Sequence, residues 1–348
     1  MRTERRRDVP VRTSLALTLL VLTALPASAA VVDIDQNAAL QGGVTPGDTA
    51  GFPVTILLPG SYRLTSNLDV RAPANPGVVN PESVTAIDVR APGVTLDLGG
   101  FAILGPTQCS GTPLTCTPVG NGIGISGLSQ SPHGLRVSNG AVVGMGGAGV
   151  MIHAFGASVE HITASKNGSF GILLVGGRVS DSTALENGLD GVETGLGTVV
   201  EHVTSLYNGV HGIRLTDSGT VVESVADGNG GDGITSPGGT PGGLPVSVRG
   251  CSANYNGGDG IDLHAGTVSE NTASSNVGDG IAVVTGTVKN NTVTSNGTYG
   301  LDLGKGAGYD GNTLIGNHGG PTAAQVRGGV ELGKNLCDHS PKPTITCP

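Results

Sequence analysis

Val200-Glu201-His202-Val203-Thr204-Ser205-Leu206-Tyr207-Asn208, followed after three residues by Gly212-Ile213-Arg214-Leu215, is the stretch that decides the fold. Its landmarks recur on both sides. The Asn returns as Asn167, Asn187, Asn208, Asn229, Asn256, Asn276, Asn296 and Asn317, at intervals of 20, 21, 21, 27, 20, 20 and 21 residues. Four residues after each of the first seven stands Gly171, Gly191, Gly212, Gly233, Gly260, Gly280 or Gly300. The next residue is Ile172, Val192, Ile213, Ile234, Ile261, Ile281 or Leu301, and Val159, Val179, Val200, Val221, Val248, Val268 or Val288 precedes the Asn by eight. A period near 20 that keeps three side-chain roles implies stacked repeats. Short β-branched runs cut by Asn and Gly read as strands and turns. A meander reverses at every turn, so a constant advance with one pattern implies a coil that returns above itself.

Stacking gives the Asn column its reason. Coils lie about 4.8 Å apart, the normal strand spacing. An Asn at the same turn of each coil can then pass its amide to the carbonyl oxygen of the next. Removing one leaves a buried neighbour unpaired, at roughly 1–3 kcal/mol. The eight asparagines are therefore a structural ladder, and Asn271, Asn291 and Asn312 form a shorter column five residues earlier. The Gly column marks a turn where a side chain clashes or φ is positive. The 27-residue interval contains Pro237-Gly238-Gly239-Thr240-Pro241-Gly242-Gly243, a loop protruding from one coil.

The composition fits a narrow core. The chain has 348 residues, 61 Gly and no Trp, so Val, Ile, Leu and Ala must fill the interior. Residues 1–29 read as a secretory signal: five Arg, the short apolar run Leu15 to Leu25, and Ala27-Ser28-Ala29. Cleavage removes a net +3 and takes the formal charge from −9 to −12. That argues against nucleic acid and anionic membranes as partners. No later stretch is apolar enough to span a membrane, so the product is expected to be secreted or periplasmic, and a monomer. In such a compartment Cys109 with Cys116, and Cys337 with Cys347, read as local disulfides, with free thiols as the alternative. Cys251, inside a repeat, reads as a small buried hydrophobe.

Upstream, Ala86-Ile87-Asp88-Val89 and Leu96-Asp97-Leu98-Gly99-Gly100-Phe101-Ala102-Ile103 alternate as strands. Together with Leu58-Pro59-Gly60-Ser61-Tyr62-Arg63-Leu64 and the repeats, they resemble the pectin-lyase-like superfamily of right-handed parallel β-helix proteins. The resemblance covers residues 50–320. It implies an all-β, single-stranded right-handed parallel β-helix of about 20–21 residues per coil and roughly 11 coils. Residues 30–68 are expected to form an N-terminal cap and opening segment, 69–321 the β-helix, and 322–348 a C-terminal cap or tail. Such a fold does not choose an activity, because its members include lyases, hydrolases, epimerases, adhesins and proteins without chemistry.

Two columns can carry chemistry. Three residues after each Asn stand Phe170, Asp190, His211, Asp232, Asp259, Asp279 and Tyr299. Stacked carboxylates repel, which raises pKa values or recruits a cation. Asp232, Asp259, Asp279 and His211 are thus candidate catalytic groups, and the three aspartates a candidate Ca²⁺ site. The competing reading is turn chemistry, since Asp bonds its own backbone and tolerates tight turns. The second column, between the Ile and Leu positions, reads Glu193, Arg214, Thr235, Asp262, Ala282 and Asp302. With Glu160, His161, Glu201, His202, Glu223 and Lys289 it can line a groove, although mixed charge on a strand face also serves solubility. Gly144-Met145-Gly146-Gly147-Ala148-Gly149 fits a dinucleotide fingerprint, but its last Gly belongs to the repeat and no helix pattern follows. Ser131-Pro132-His133 lacks the acidic residues of the epimerase motif it resembles.

The leading expectation is an exported, non-catalytic β-helix that binds a polysaccharide or cell-surface component and requires no cofactor. The alternatives are a polysaccharide lyase, epimerase or hydrolase acting through the Asp column, and a Ca²⁺-binding structural module.

Overall fold

Three stacks of short parallel strands wind around a core one side chain deep. The computed structural model describes residues 30–71, 74–128, 132–237, 244–317, 324–337 and 347. The expected signal segment, most of the Pro/Gly-rich loop and Ser131 lie outside them.

The isoleucine stack includes Ile172–Leu174, Val192–Thr194, Ile213–Leu215 and Ile234–Ser236. The valine stack includes Gly177–Ser180, Thr198–Glu201, Gly219–Val222 and Val246–Arg249. The third stack includes Thr183–Leu185, Thr204–Leu206, Val225–Asp227 and Ser252–Asn254. Register follows the sequence period: Ile172 pairs with Val192, Val192 with Ile213, Val179 with Val200, and Val200 with Val221. Pairing is parallel throughout these stacks, as a coil returning above itself requires.

Alternation then sorts the side chains. Ile172, Val192, Ile213, Ile234, Ile261, Ile281 and Leu301 are fully buried, as are the valines from Val159 to Val288. Ala164, Ala184, Ala226, Ala253 and Ala273 complete the section from the third stack. Burying one Ile or Val is worth about 1.5–3 kcal/mol, so a thin core repeated many times suffices.

Parallel pairing also involves the segments on either side of the regular coils. Val54–Ile56 and Gly60–Leu64 already pair in parallel with Ile87–Val89 and Val94–Asp97. Val326–Glu331 still extends the stack. A short helix, Gln36–Gln41, lies near the start, with the Asp35 side chain accepting from the Ala38 amide at 2.8 Å. The regular, Asn-marked coils run only from Asn167 to Asn317, fewer than the 11 expected. The coils before them carry insertions and lack the column.

The Asn ladder forms as the period implies. Each side-chain amide donates to Oδ1 of the next asparagine, from Asn167 to Asn187 at 2.9 Å through Asn296 to Asn317 at 2.8 Å. The same Oδ1 also accepts the backbone amide of the preceding asparagine, as Asn187 Oδ1 does from Asn167 at 3.1 Å. All eight residues are at most 2 % exposed. The Gly column is glycine for lack of room. A Cβ on Gly191 would stand 2.5 Å from Asn208 Nδ2, and its φ is not left-handed. Positive φ falls instead on the residue before each ladder Asn: Lys166, Glu186, Tyr207, Gly228, Tyr255, Ser275, Ser295 and Gly316. The shorter column is also a ladder, Asn271 to Asn291 to Asn312 to Asn335. Ser182 and Ser224 hold its position in earlier coils, their hydroxyls accepting the amides of Ile162 and Val203.

Both local disulfides form, Cys109–Cys116 and Cys337–Cys347. The first closes an antiparallel hairpin, Gln108–Ser110 with Thr115–Thr117, at the corner that the Asn ladder occupies in later coils. Its two sulfurs lie 3.8 Å from the Asn167 carbonyl oxygen, so the hairpin folds along the stack over later coils. Cys251 is a buried free thiol on the second ladder's column, and burial pushes it up to about 11.

Candidate functional site

Gly-Ile follows the acidic position in each regular coil, so the acidic column sits at the corner just before the isoleucine strands. Each of its side chains from Asp190 to Asp279 accepts the backbone amide of the corresponding residue one coil later. Asp190 Oδ1 accepts from His211 at 2.9 Å, His211 Nδ1 from Asp232 at 3.0 Å, and Asp232 Oδ1 from Asp259 at 2.8 Å. Asp259 Oδ1 accepts from Asp279 at 2.6 Å, and Asp279 Oδ1 from Tyr299 at 2.8 Å, with the Thr298 hydroxyl on the same oxygen. The column is therefore a second kind of ladder. It bonds side chain to backbone, and its side chains point toward later coils.

One carboxylate oxygen per residue is committed in this way, and Oδ2 of Asp190 faces Arg214 while Oδ2 of Asp232 faces His211. Burial pushes the Asp259 carboxyl up to about 7, and the Asp279, Asp232 and Asp262 carboxylates add to the rise against the Asp279 amide bond. Asp262 is pushed up to about 6, by burial first and then by Asp232, Asp279 and Asp302, while His264 opposes. Asp262 and His264 alternate outward on one strand, Ile261–Ser269. At the other end, Arg214 reaches Asp190 at 3.7 Å and Glu193 at 3.6 Å. Burial raises the Glu193 carboxyl, Arg214 opposes, and Asp190 adds to the rise.

The structure thus gathers Asp232, Asp259 and Asp279 with Asp262, and places His211 3.4 Å from Asp232. It separates the rest of the expected groove. Glu201 belongs to the valine stack, and His202 and Glu223 stand at its corner, His202 at 3.6 Å from Asp181 and 3.0 Å from Glu223. Those residues, with Glu160, His161 and Lys289, belong to another stack and do not join the isoleucine face. His264 is the neighbour that the sequence reading passed over. Strand alternation in Ile261-Asp262-Leu263-His264 already carried the signal. Among the described residues, no group of three or more His, Cys, Asp or Glu is disposed to hold a metal ion.

Comparison with known proteins agrees with the architecture. Residues 240–318 match the family model "Right handed beta helix region". No curated protein matches in sequence. The mannuronan C-5 epimerase AlgE4 A-module of Azotobacter vinelandii is similar in structure, with TM-score 0.52, 12 % identity, and coverage of 91 % of this chain and 89 % of that one. The AlgE6 A-module of the same organism gives 0.51 at 15 % identity over 80 % and 84 %. Pectate lyase Pel9A gives 0.50 at 15 % identity over 90 % and 81 %. Parallel register through three stacks, the internal ladders and these likenesses together make the chain a right-handed parallel β-helix, a fold it shares with these epimerase modules and this lyase.

Proposed function

We infer that the chain is an exported β-helix protein that binds a glycan on the outward face of its isoleucine strands without transforming it. One observation carries this reading: Asp232, Asp259, Asp262 and Asp279 are grouped on that face, and two of them are raised toward neutral pH. Such carboxyls present both donors and acceptors, which suits sugar hydroxyls. The net charge of the expected mature chain disfavours a polyanion, so a neutral or cationic glycan fits best. Two disulfides accord with an oxidising compartment.

A second reading follows from Asp259 at about 7 beside Asp262 at about 6 with His264 at hand. Carboxyls poised at different values can divide general acid and base work. On that reading the chain is a polysaccharide lyase, epimerase or hydrolase. The epimerases and the lyase of similar fold bear on it only by analogy, because identities of 12–15 % speak to fold alone. Ca²⁺ at Asp232, Asp259 and Asp279 is a further proposal that binding does not need.

The test is a screen of the exported chain on neutral and uronate-containing polysaccharides, with and without Ca²⁺, reading unsaturated products, new reducing ends and retention on immobilised glycan. Retention without product, weakened in Asp262→Asn, is expected. Product formation lost in Asp232→Asn or Asp259→Asn would replace binding by catalysis.

A further inference from the structure

A second open surface lies at the Asn-ladder corner, where the disulfide hairpin faces the coils. Between them is a cavity of about 770 Å³. Its lining includes the hairpin segment Ser110–Leu114 together with Tyr207 and Tyr255. The two rings are 58 % and 71 % exposed, unusual for aromatic side chains in a chain with so few.

Three features make this a built groove. First, the floor is glycine by necessity. A Cβ on Gly209, Gly230 or Gly257 would lie 2.2–2.3 Å from a carbonyl oxygen of the coil below. Second, the Tyr207 ring lies over Gly228 in the next coil, where an added Cβ would meet Cε1 at 2.6 Å. Third, Tyr207 and Tyr255 hold φ of 53° and 56°, a left-handed conformation that costs a non-glycine residue about 1–2 kcal/mol. The same column carries glycine at Gly228, so the aromatic choice is not imposed by the turn.

The chemistry of the lining selects an occupant. Glu186 is its one charged side chain, and Lys166 stands 3.4 Å from it. Among the described lining residues there is no cation to hold a uronate or phosphate. The floor amides of Gly209, Gly230 and Gly257 are already bonded to Asn187, Asn208 and Asn229 carbonyls, so an extended peptide finds no edge to pair with. Two flat tyrosine faces, two coils apart or about 10 Å, remain for stacking. That separation matches alternate rings of an extended pyranose chain.

We propose that the groove between the Cys109–Cys116 hairpin and Tyr207/Tyr255 binds a neutral oligosaccharide by stacking pyranose rings on the two tyrosines. This site stands on its own residues and does not require the acidic face to bind anything. Gluco-, manno-, galacto- and xylo-hexaoses, with hexagalacturonate as the charged comparison, are the probes. Calorimetry and intrinsic fluorescence are the readouts, the latter arising from five Tyr and no Trp.

At least one neutral hexaose is expected to bind, to lose about tenfold in affinity in Tyr207→Ala and in Tyr255→Ala, and to recover in Tyr207→Phe. Opening the hairpin with Cys109→Ser/Cys116→Ser should also weaken it. Silence across the neutral panel overturns the proposal, as do equal binding of hexagalacturonate and self-association that buries the tyrosines. Loss confined to Asp262→Asn, with both tyrosine variants binding normally, overturns it and leaves the acidic-face reading intact. Loss in the tyrosine variants alone does the reverse.

Discussion

The Asn column and the Asp column stand three residues apart on the same coils, yet they solve stacking differently. The Asn ladder is neutral and sealed, and each Oδ1 accepts two donors. The Asp ladder runs in the opposite sense and uses one oxygen of each carboxylate on the neighbouring backbone. The neutral column can lie wholly inside because an amide both gives and takes. A carboxylate only takes, and in this column burial raises the Asp259 carboxyl to about 7. The first column is sealed by its own amides, and the second leaves Asp259 with this raised carboxyl.

Exchanging the two residue types breaks the comparison most sharply. Asn256→Asp puts a carboxylate where two donations are required, to Asn276 Oδ1 and to the Ala226 carbonyl. A loss of at least about 4 kcal/mol at pH 7 is expected in urea denaturation. The loss should shrink on acidification, where the carboxyl protonates and regains one donor. A change under 1 kcal/mol sinks the claim that this column is sealed.

The reverse exchange should have the opposite sign. The folded Asp259 carboxyl sits at about 7 against an ordinary value of 3.8, and Asp262 at about 6. The folded chain therefore binds these protons more tightly than the unfolded one. Their contribution to stability is fully present below pH ~4 and is lost as pH rises to about 7. Asp259→Asn keeps the oxygen that accepts from Asp279 and removes the titration. A gain of about 1–2 kcal/mol at pH 8 is expected, after discounting for solvent screening, and it should fade by pH 4. A pH-independent difference points to packing instead.

Smaller effects sharpen the corner that both ladders share. Ser275 precedes Asn276 at φ 57°. Ser275→Gly should stabilise by about 0.5–1 kcal/mol in thermal melts, because glycine reaches that conformation freely. Chelation gives the smallest effect. EDTA and millimolar Ca²⁺ are expected to leave the melting temperature unchanged, and a Ca²⁺-dependent rise abolished by Asp259→Asn assigns the column to a metal.

Periodic features were legible in the sequence. The Asn, Gly, Ile and Val columns follow from intervals near 20, since each must stack on its like. The second ladder was only partly legible, because Ser182 and Ser224 replace Asn and a longer interval hides Asn335. The left-handed corner was not, because Lys166, Glu186 and Tyr207 advertise no positive φ. The tyrosine groove was invisible for a different reason. It exists only because a hairpin near residue 110 folds across coils about a hundred residues later, and no local pattern records that contact.

Both amide ladders end by turning inward. Gln325 Oε1 receives Asn317 at 2.8 Å, and its own Nε2 returns to the Asn317 carbonyl at 3.4 Å. Asn335 closes the other ladder by donating to Glu331 Oε1 at 3.1 Å and the Gly333 carbonyl at 3.2 Å. An unfinished ladder is a template that any chain with the same repeat can extend, as fibrils do. Returning the last donors to their own chain closes both ladders at this end.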